Sequence, residues 1–353
     1  MHTANDELAA ATAGLTYPFA SAPDPGHAVR VAPGVMWLRM PLPFSGLNHI
    51  NLWALEDGAG WTLTDTGMQT PDTAAHWEQA FAGALDRRPV MRVICTHMHP
   101  DHIGMAGWLT RQHVCRLWTT RLEYLTCRML VADTGREAPP DALRFYHAAG
   151  WDEQALGSYK ARFGGFGKAV YTLPDSFRRI VDGEEILTGG RSWHAVVGRG
   201  HSPEHLCLHS PELRVLISGD QVLPRITSNV SVFPTEPDAN PLQEWLESLA
   251  SIAARVPDDV LVLPSHNEPF RGLHARLKTL ISGHEQRLER MQVELGVPKR
   301  AVDVFGLLFR RKVGADMLIM ATGESVAHLN CLIARGLAVR ELDASGVAWY
   351  RSA

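Results

Sequence analysis

Between residues 96 and 107 the chain reads THMHPDHIGMAG, which sets His97, His99, Asp101 and His102 directly behind the apolar run MRVIC. Imidazole and carboxylate are the groups that hold zinc and its neighbours at about 2.0–2.2 Å. A solvated loop has no use for so many of them, and a core strand does not tolerate them unpaired. Histidines at i and i+2 at the end of a strand can reach one point. Pro100 then ends strand pairing and turns the chain, so that Asp101 and His102 face a second point nearby. One short stretch thus offers two ligands to each of two adjacent ions, and each ion needs more.

The missing ligands stand behind other β-type runs. His201 lies in GRGHSPEH after SWHAVVG, Asp220 ends RVLISGD, and His266 ends DVLVLPSH. Polar residues directly after strands belong at one rim of the sheets. The assignment is His97, His99 and His201 for one ion and Asp101, His102 and His266 for the other, with Asp220 bridging. That set leaves room for a bridging hydroxide and for substrate.

The elements that must carry these residues can be read from periodicity. GVMWLRMPL, HINLWALED and GWTLTDTG are short β runs separated by turns, as in an antiparallel meander. The spacing predicts a helix over 72–88 capped by Asp72 or Thr73, then the strand VMRVICTH, a helix IGMAGWLTRQH and the strand VCRLWTT. Residues 121–168 turn helical and read as an insertion. The β pattern resumes with RRIVDGEEIL, SWHAVVG, LCLHS and LRVLISGD, followed by an amphipathic helix at 241–256 and the strand DDVLVLPSH. Two β runs, each joined to helices, predict an α/β fold of the αββα sandwich type. Residues 1–270 form the expected catalytic domain. Residues 271–353 give a long helix from Leu273 to Leu295, two further helices and a β-hairpin, the pattern of a winged-helix-like domain.

Composition sets bounds on partners. Of 353 residues 45% are apolar, ample for a core, and the net charge of −4 argues against bulk attraction to nucleic acid or membrane. Residues 271–353 hold 13 Lys/Arg against 8 Asp/Glu, a net of +5, so the remainder carries −9. The plainer reading of the C-terminal unit is packing or oligomerisation, including a homodimer. The other is a nucleic-acid contact through Lys299, Arg300, Arg310, Arg311 and Lys312. Five cysteines without a C-x-x-C pair fit a reduced, cytoplasmic compartment. The stretch MHTANDELAAATAGL lacks the features of a signal peptide, and no apolar run reaches the roughly 18 residues of a membrane span.

With these residues in place the chain resembles the metallo-β-lactamase superfamily, whose H-x-H-x-D-H motif stands here as His97-Met98-His99-Pro100-Asp101-His102. His201, Asp220 and His266 match the later ligands in order, and the resemblance covers roughly residues 30–270. It implies the αββα fold. Asp65 in LTDTG matches a family position near the metals, where it accepts a hydrogen bond from a ligand imidazole; otherwise it is a turn residue before Gly67. His205 is a supporting or structural residue, since both sites are filled without it. Arg225 and Asn229 follow the bridging aspartate closely and are candidates for substrate contact or for ordering their own loop. The remaining histidines read as surface or structural.

The resemblance implies two divalent ions, zinc first with iron or manganese open, that lower the pKa of a shared water to about 7. Asp101 or Asp220 would relay its proton. The expected activity is hydrolysis of a small-molecule thioester or ester of acyl-CoA or acyl-glutathione type. The GHSPEH context is similar to hydroxyacylglutathione hydrolases, and the insertion and C-terminal unit to the β-lactamase-like-protein-two branch. Hydrolysis of β-lactams ranks lower, and the alternatives are an endoribonuclease or phosphodiesterase and, further back, an iron-dependent oxygen-using enzyme. Tyr146, Trp151, Tyr159 and Phe166 are aromatic candidates for a substrate lining supplied by the insertion.

Overall fold

A computed structural model describes residues 12–44 and 46–353; the leader reading at residues 1–11 lies outside them. Strands β2 (Val35–Phe44), β3 (Leu47–Asp57) and β4 (Gly60–Thr64) form the expected antiparallel meander, and β1 (Ala28–Ala32), which the sequence reading did not mark, pairs antiparallel with β2. From β4 the sheet continues in parallel through β5 (Val90–Ile94), β6 (Arg116–Thr119) and the two-residue β7 (Arg178–Arg179). A second sheet of five strands is ordered β12-β11-β10-β9-β8, from Leu261–Pro264, Val215–Gly219, His205–Ser210, Arg191–Gly198 and Glu185–Thr188.

Period-two alternation decides what each strand face buries. In β2 and β3, Trp37, Trp53 and Leu55 point between the sheets, while Leu38, Met40, Leu52 and Ala54 point to the outer helices. In the second sheet Trp193, Ala195, Leu206, Leu208, Ile217 and Leu263 meet the first, and Val196, Cys207, Leu216 and Val262 face outward. The outer layers are α1 (Pro71–Ala82), α2 (Pro100–Ile103) and α3 (Ala106–Gln112) on one side and α7 (Pro241–Arg255) on the other. This is an αββα sandwich.

Several boundaries differ from the sequence expectation for local reasons. The helix expected at 72–88 starts at Pro71 behind a Thr70 cap, whose hydroxyl accepts the Thr73 N–H at 3.0 Å. It stops at Ala82, and Asp86 and Arg87 take positive φ to turn into β5. The helix expected at 103–113 breaks between α2 and α3 because the Met105 N–H bonds to the Gly67 carbonyl instead of a helix partner. RRIVDGEEIL is not one strand, since β7 closes the first sheet and β8 opens the second.

The insertion consists of α4 (Arg121–Ala132), α5 (Pro140–Ala148), α6 (Glu153–Arg162) and a 3-10 turn at Gly165–Ala169. Tyr146, Trp151 and Tyr159 do not line a substrate cavity. They are buried in the core that α5 and α6 share with the C-terminal helices, where the Trp151 indole N–H donates to Thr322 Oγ1 at 2.9 Å. Phe166 packs against the opposite core. The C-terminal segment contributes α8 (Leu273–Glu294), a 3-10 turn (Ala301–Val304), α9 (Phe305–Leu308), α10 (Leu318–Ala334) and the hairpin β13–β14 (Ala338–Leu342, Ala348–Ser352). Leu277, Leu280, Val326, Leu329 and Tyr350 join the same core as Trp245 and Leu249 of α7, so apolar packing runs without a break across residue 270. No helix among the described residues is long and apolar enough to cross a membrane.

Gly104 shows how tightly the histidine motif is pressed onto its support. A Cβ there would lie 2.2 Å from the Pro100 carbonyl oxygen and 2.7 Å from both Gln69 N and Gly67 O, all backbone atoms. Its φ of −55° is ordinary, so only space forbids a side chain. Gly104→Ala is expected to cost roughly 3 kcal/mol, read as a lower urea midpoint at unchanged slope; an unshifted midpoint would contradict this packing.

Candidate metal centre

The ligand-type residues gather at one rim of the sandwich, five of them past strand ends and Asp101 and His102 on α2. His97 and His99 follow β5, His201 follows β9, Asp220 follows β11 and His266 follows β12. Strand ends suit this work because the ladder fixes the backbone while the next residue is free to turn inward.

Three ring nitrogens converge first. His97 Nε2 lies 2.8 Å from His99 Nδ1, His99 Nδ1 lies 3.1 Å from His201 Nε2, and His201 Nε2 lies 3.3 Å from His97 Nε2. Ligands at 2.0–2.1 Å around a tetrahedral ion stand about 3.3 Å apart, so this triangle is close to what such an ion requires. A second group lies beside it. Asp101 Oδ2 is 3.6 Å from His102 Nε2 and 3.4 Å from His266 Nε2. Asp220 Oδ1 is 3.6 Å from His102 Nε2 and 3.4 Å from His266 Nε2, while its Oδ2 is 3.5 Å from His201 Nε2. One carboxylate therefore spans both groups.

The donor set fits divalent cations on a further ground. His102 Nε2, His266 Nε2 and Asp220 Oδ1 are buried with no hydrogen-bond partner. Buried polar atoms are rarely left so, and three aimed at one volume call for an ion. Residues His97, His99, His201, Asp101, His102, His266 and Asp220 are all brought together within ligand reach.

The opposite ring nitrogens are tied to the scaffold, which fixes each tautomer. His102 Nδ1–H donates to Asp65 Oδ2 at 2.8 Å, His201 Nδ1–H to the Asn229 carbonyl at 2.7 Å, and His266 Nδ1–H to the His49 carbonyl at 2.8 Å. Asp65 also accepts the Thr96 N–H at 2.7 Å, so it serves the motif rather than only a turn. It does so from a left-handed backbone, φ 62°, which aspartate enters more readily than most residues. His205 is outside both ligand groups: its Nε2 accepts the Asp220 N–H at 3.0 Å and so places the bridging residue.

Arg225 and Asn229 are engaged by the protein. Arg225 donates to Glu268 at 2.9 Å and lies over the Tyr17 ring, and Asn229 Nδ2 donates to Glu324 Oε2 at 2.9 Å. Two supporting residues escaped the sequence reading. Glu123 on α4 is fully buried and accepts the Met98 N–H at 2.9 Å, the Ser202 hydroxyl at 2.7 Å and the Glu204 N–H at 2.7 Å, which joins the two loops carrying His97, His99 and His201. Asn51 on β3 donates to the carbonyls of Pro264 and Asn267 on either side of His266. The only signal for either was a polar residue at an apolar position of its element.

Electrostatics divide the two groups. Burial and the neighbouring imidazoles hold His97 well below its ordinary range and His99 down to about 3, so the first cluster is neutral and ready to bind. In the second, burial alone would lower His266, but Asp220 and Asp101 outweigh it and raise the ring to about 10. His102 is raised by Asp101, Asp65 and Asp220 against the same burial. Burial would raise Asp101, yet His102 and His266 hold it down to about 2. The carboxylates thus bias His102 and His266 toward the protonated form, and a cation that binds their nitrogens competes with protons. Zinc titration by calorimetry in buffers of different ionisation enthalpy is expected to release about two protons per protein near neutrality. Affinity weakens as pH falls, because protons compete for the same nitrogens. Binding with no proton release would refute this charge assignment.

Comparison with known proteins agrees with this geometry. A family model described as the metallo-beta-lactamase superfamily matches residues 45–266, and one described as metallo-beta-lactamase-like, C-terminal domain, matches residues 288–353. A beta-lactamase domain protein from Burkholderia ambifaria is similar in structure, with a TM-score of 0.89 at 42% identity over 98% of this chain and 100% of that one. A metallo-beta-lactamase family protein from Thermus thermophilus shares the fold at 24% identity, with a TM-score of 0.77 over 92% of this chain and 100% of that one. Among curated relatives, the lactamase-like protein nscB of Neosartorya fischeri is 31% identical over 69% of this chain and 56% of its own length. An atrochrysone carboxyl ACP thioesterase of Aspergillus fumigatus is 22% identical over 78% of this chain and 51% of its own. The chain thus spans about half the length of the curated relatives it matches. The matched residues include the whole set of converging ligands, and the chain belongs to the metallo-beta-lactamase superfamily.

Proposed function

We propose that the protein is a metal-dependent hydrolase acting on thioesters, with the acyl group carried on CoA, glutathione or an acyl carrier protein. The observation that carries the reading is the pair of converging donor groups spanned by one carboxylate, Asp220. His97, His99 and His201 would hold one divalent cation, and Asp101, His102 and His266 a second. Such ions supply Lewis acidity, which activates water at neutral pH and stabilises charge on the attacked carbonyl.

The chain's own residues supply the rest. Asp101 directs Oδ2 at both His102 and His266, which leaves Oδ1 as the atom to take a proton from the attacking water. Asp220 keeps the two donor groups in register from a backbone held by His205. Protein thiols are poor candidates for a covalent route. Cys95 and Cys207 are buried with their thiols pushed well up, and burial takes Cys127 up to about 12, so they stay protonated. This supports direct attack by water.

The thioester choice draws on the relatives named as ACP thioesterases and on the resemblance of the GHSPEH context to hydroxyacylglutathione hydrolases. An endoribonuclease reading would need a basic surface. Of the C-terminal cations considered for it, Arg300 is bound to Asp303 and Lys299 lies 3.7 Å from Glu294, so these two are neutralised locally.

The test is a substrate panel of acyl-CoA, acyl-glutathione and acyl carrier protein thioesters beside single-stranded RNA. Thiol release is expected, abolished by chelator and restored by zinc. Asp220→Asn is expected to lower kcat/KM on the order of 10³-fold, the several kcal/mol that cation catalysis contributes. Cleaved RNA with every thioester intact would overturn the assignment.

A further inference from the structure

The C-terminal unit reaches the metal centre through one buried carboxylate. Glu324 lies on α10, more than a hundred residues beyond His201, and is 8% exposed. Its Oε2 accepts the Asn229 side-chain N–H at 2.9 Å, and the Asn229 backbone carbonyl accepts His201 Nδ1–H at 2.7 Å. The Ser231 hydroxyl donates to Asn229 Oδ1 at 2.5 Å, and the Val232 N–H donates to the Gly323 carbonyl at 3.1 Å. At Gly323 a Cβ would stand 2.7 Å from Ser231. Residues 229–232 therefore lie directly on the helix, with no side chain between.

The rest of this loop is held by α8. The buried Arg276 donates to the Leu223 carbonyl at 2.6 Å and to the Ile226 carbonyl at 2.7 Å. Backbone from Asp220 to Val232 is thus gripped by two helices outside the sandwich. The carbonyl that orients His201 has no strand ladder of its own to hold it. The residue that bears it is held through its side chain, by Glu324 on Nδ2 and by Ser231 on Oδ1.

We propose that Glu324 is a positioning residue for the metal centre: by holding Asn229 it sets the hydrogen bond that aims His201 Nε2 at His97 and His99. The C-terminal unit is then part of the site. The inference rests on the metal-centre reading above and is independent of the substrate.

The experiment measures zinc stoichiometry and affinity by competition with a chromophoric chelator, with thermal melting in parallel. Glu324→Ala loosens the carbonyl partner of His201 without removing it and is expected to weaken one of two ions by about 10-fold, the low end of the cost of losing such a partner. Glu324→Gln keeps an acceptor for Asn229 and should stay close to wild type. Asn330→Ala, on the same helix, removes donors to the Pro237 and Ala239 carbonyls, so it reports helix damage alone and should leave both affinities unchanged. Should Glu324→Ala not fold, Asn229→Asp sets two carboxylates against each other, and adding Glu324→Gln restores the bond with its direction reversed. Recovery in that double variant supports the inference. Wild-type affinity in a folded Glu324→Ala, or no recovery in the double variant, overturns it while the two-ion reading stands. A wild-type protein that takes up no zinc overturns both.

Discussion

The site depends on lone pairs being held pointed at one another. Ring nitrogens 2.8–3.3 Å apart, with carboxylate oxygens beside them, repel unless a proton or a metal cation lies between. Nothing in the cluster favours that arrangement locally, so it has to be imposed from outside. The imposition is visible at the far nitrogen of the rings: Asp65 holds His102, the Asn229 carbonyl holds His201 and the His49 carbonyl holds His266. Glu123 and Asn51 then hold the loops on which the rings are mounted. Stability spent on a convergent site comes from these outward bonds and from the two sheets beneath.

The ligand set was legible in the chain because metal binding restricts residue type and place. Only histidine and a few others can serve, and they must follow strands whose alternation is plain. Element types were legible for the same reason, whereas ends were set by contacts that no local window contains. The Met105 N–H leaves its helix for Gly67, nearly forty residues away, and RRIVDGEEIL divides because its halves pair with different sheets. Glu123, Asn51 and Glu324 stayed hidden because any polar residue at such a position reads the same until its distant partner is known. Tyr146, Trp151 and Tyr159 show the converse. Aromatic residues near a presumed pocket read as a lining, but they serve the core that joins the insertion to α10.

The uneven charge of the chain has a similar explanation. The excess of cations beyond residue 270 invites a search for an anionic partner. Yet Arg276 is turned inward to backbone carbonyls, and Arg300, Arg335 and Arg351 are paired with Asp303, Glu285 and Glu341. Much of the basic character is used to fasten the unit to itself and to the sandwich. Charge counted along a sequence is thus a weak guide to a surface until pairing is known.

The two donor groups differ in a way that bears on how a buried site can exist both with and without its ions. In the second group the carboxylates of Asp101 and Asp220 face the rings of His102 and His266 and hold them toward the charged form, against burial. Exchanging two protons for one dication leaves the net charge where it was, and no new charge has to be desolvated. The first group has no such balance. Burial and the neighbouring imidazoles hold its three rings toward the neutral form, against the pull of Asp220 and Asp101. The contrast between the two groups follows from where two aspartates fall in the chain.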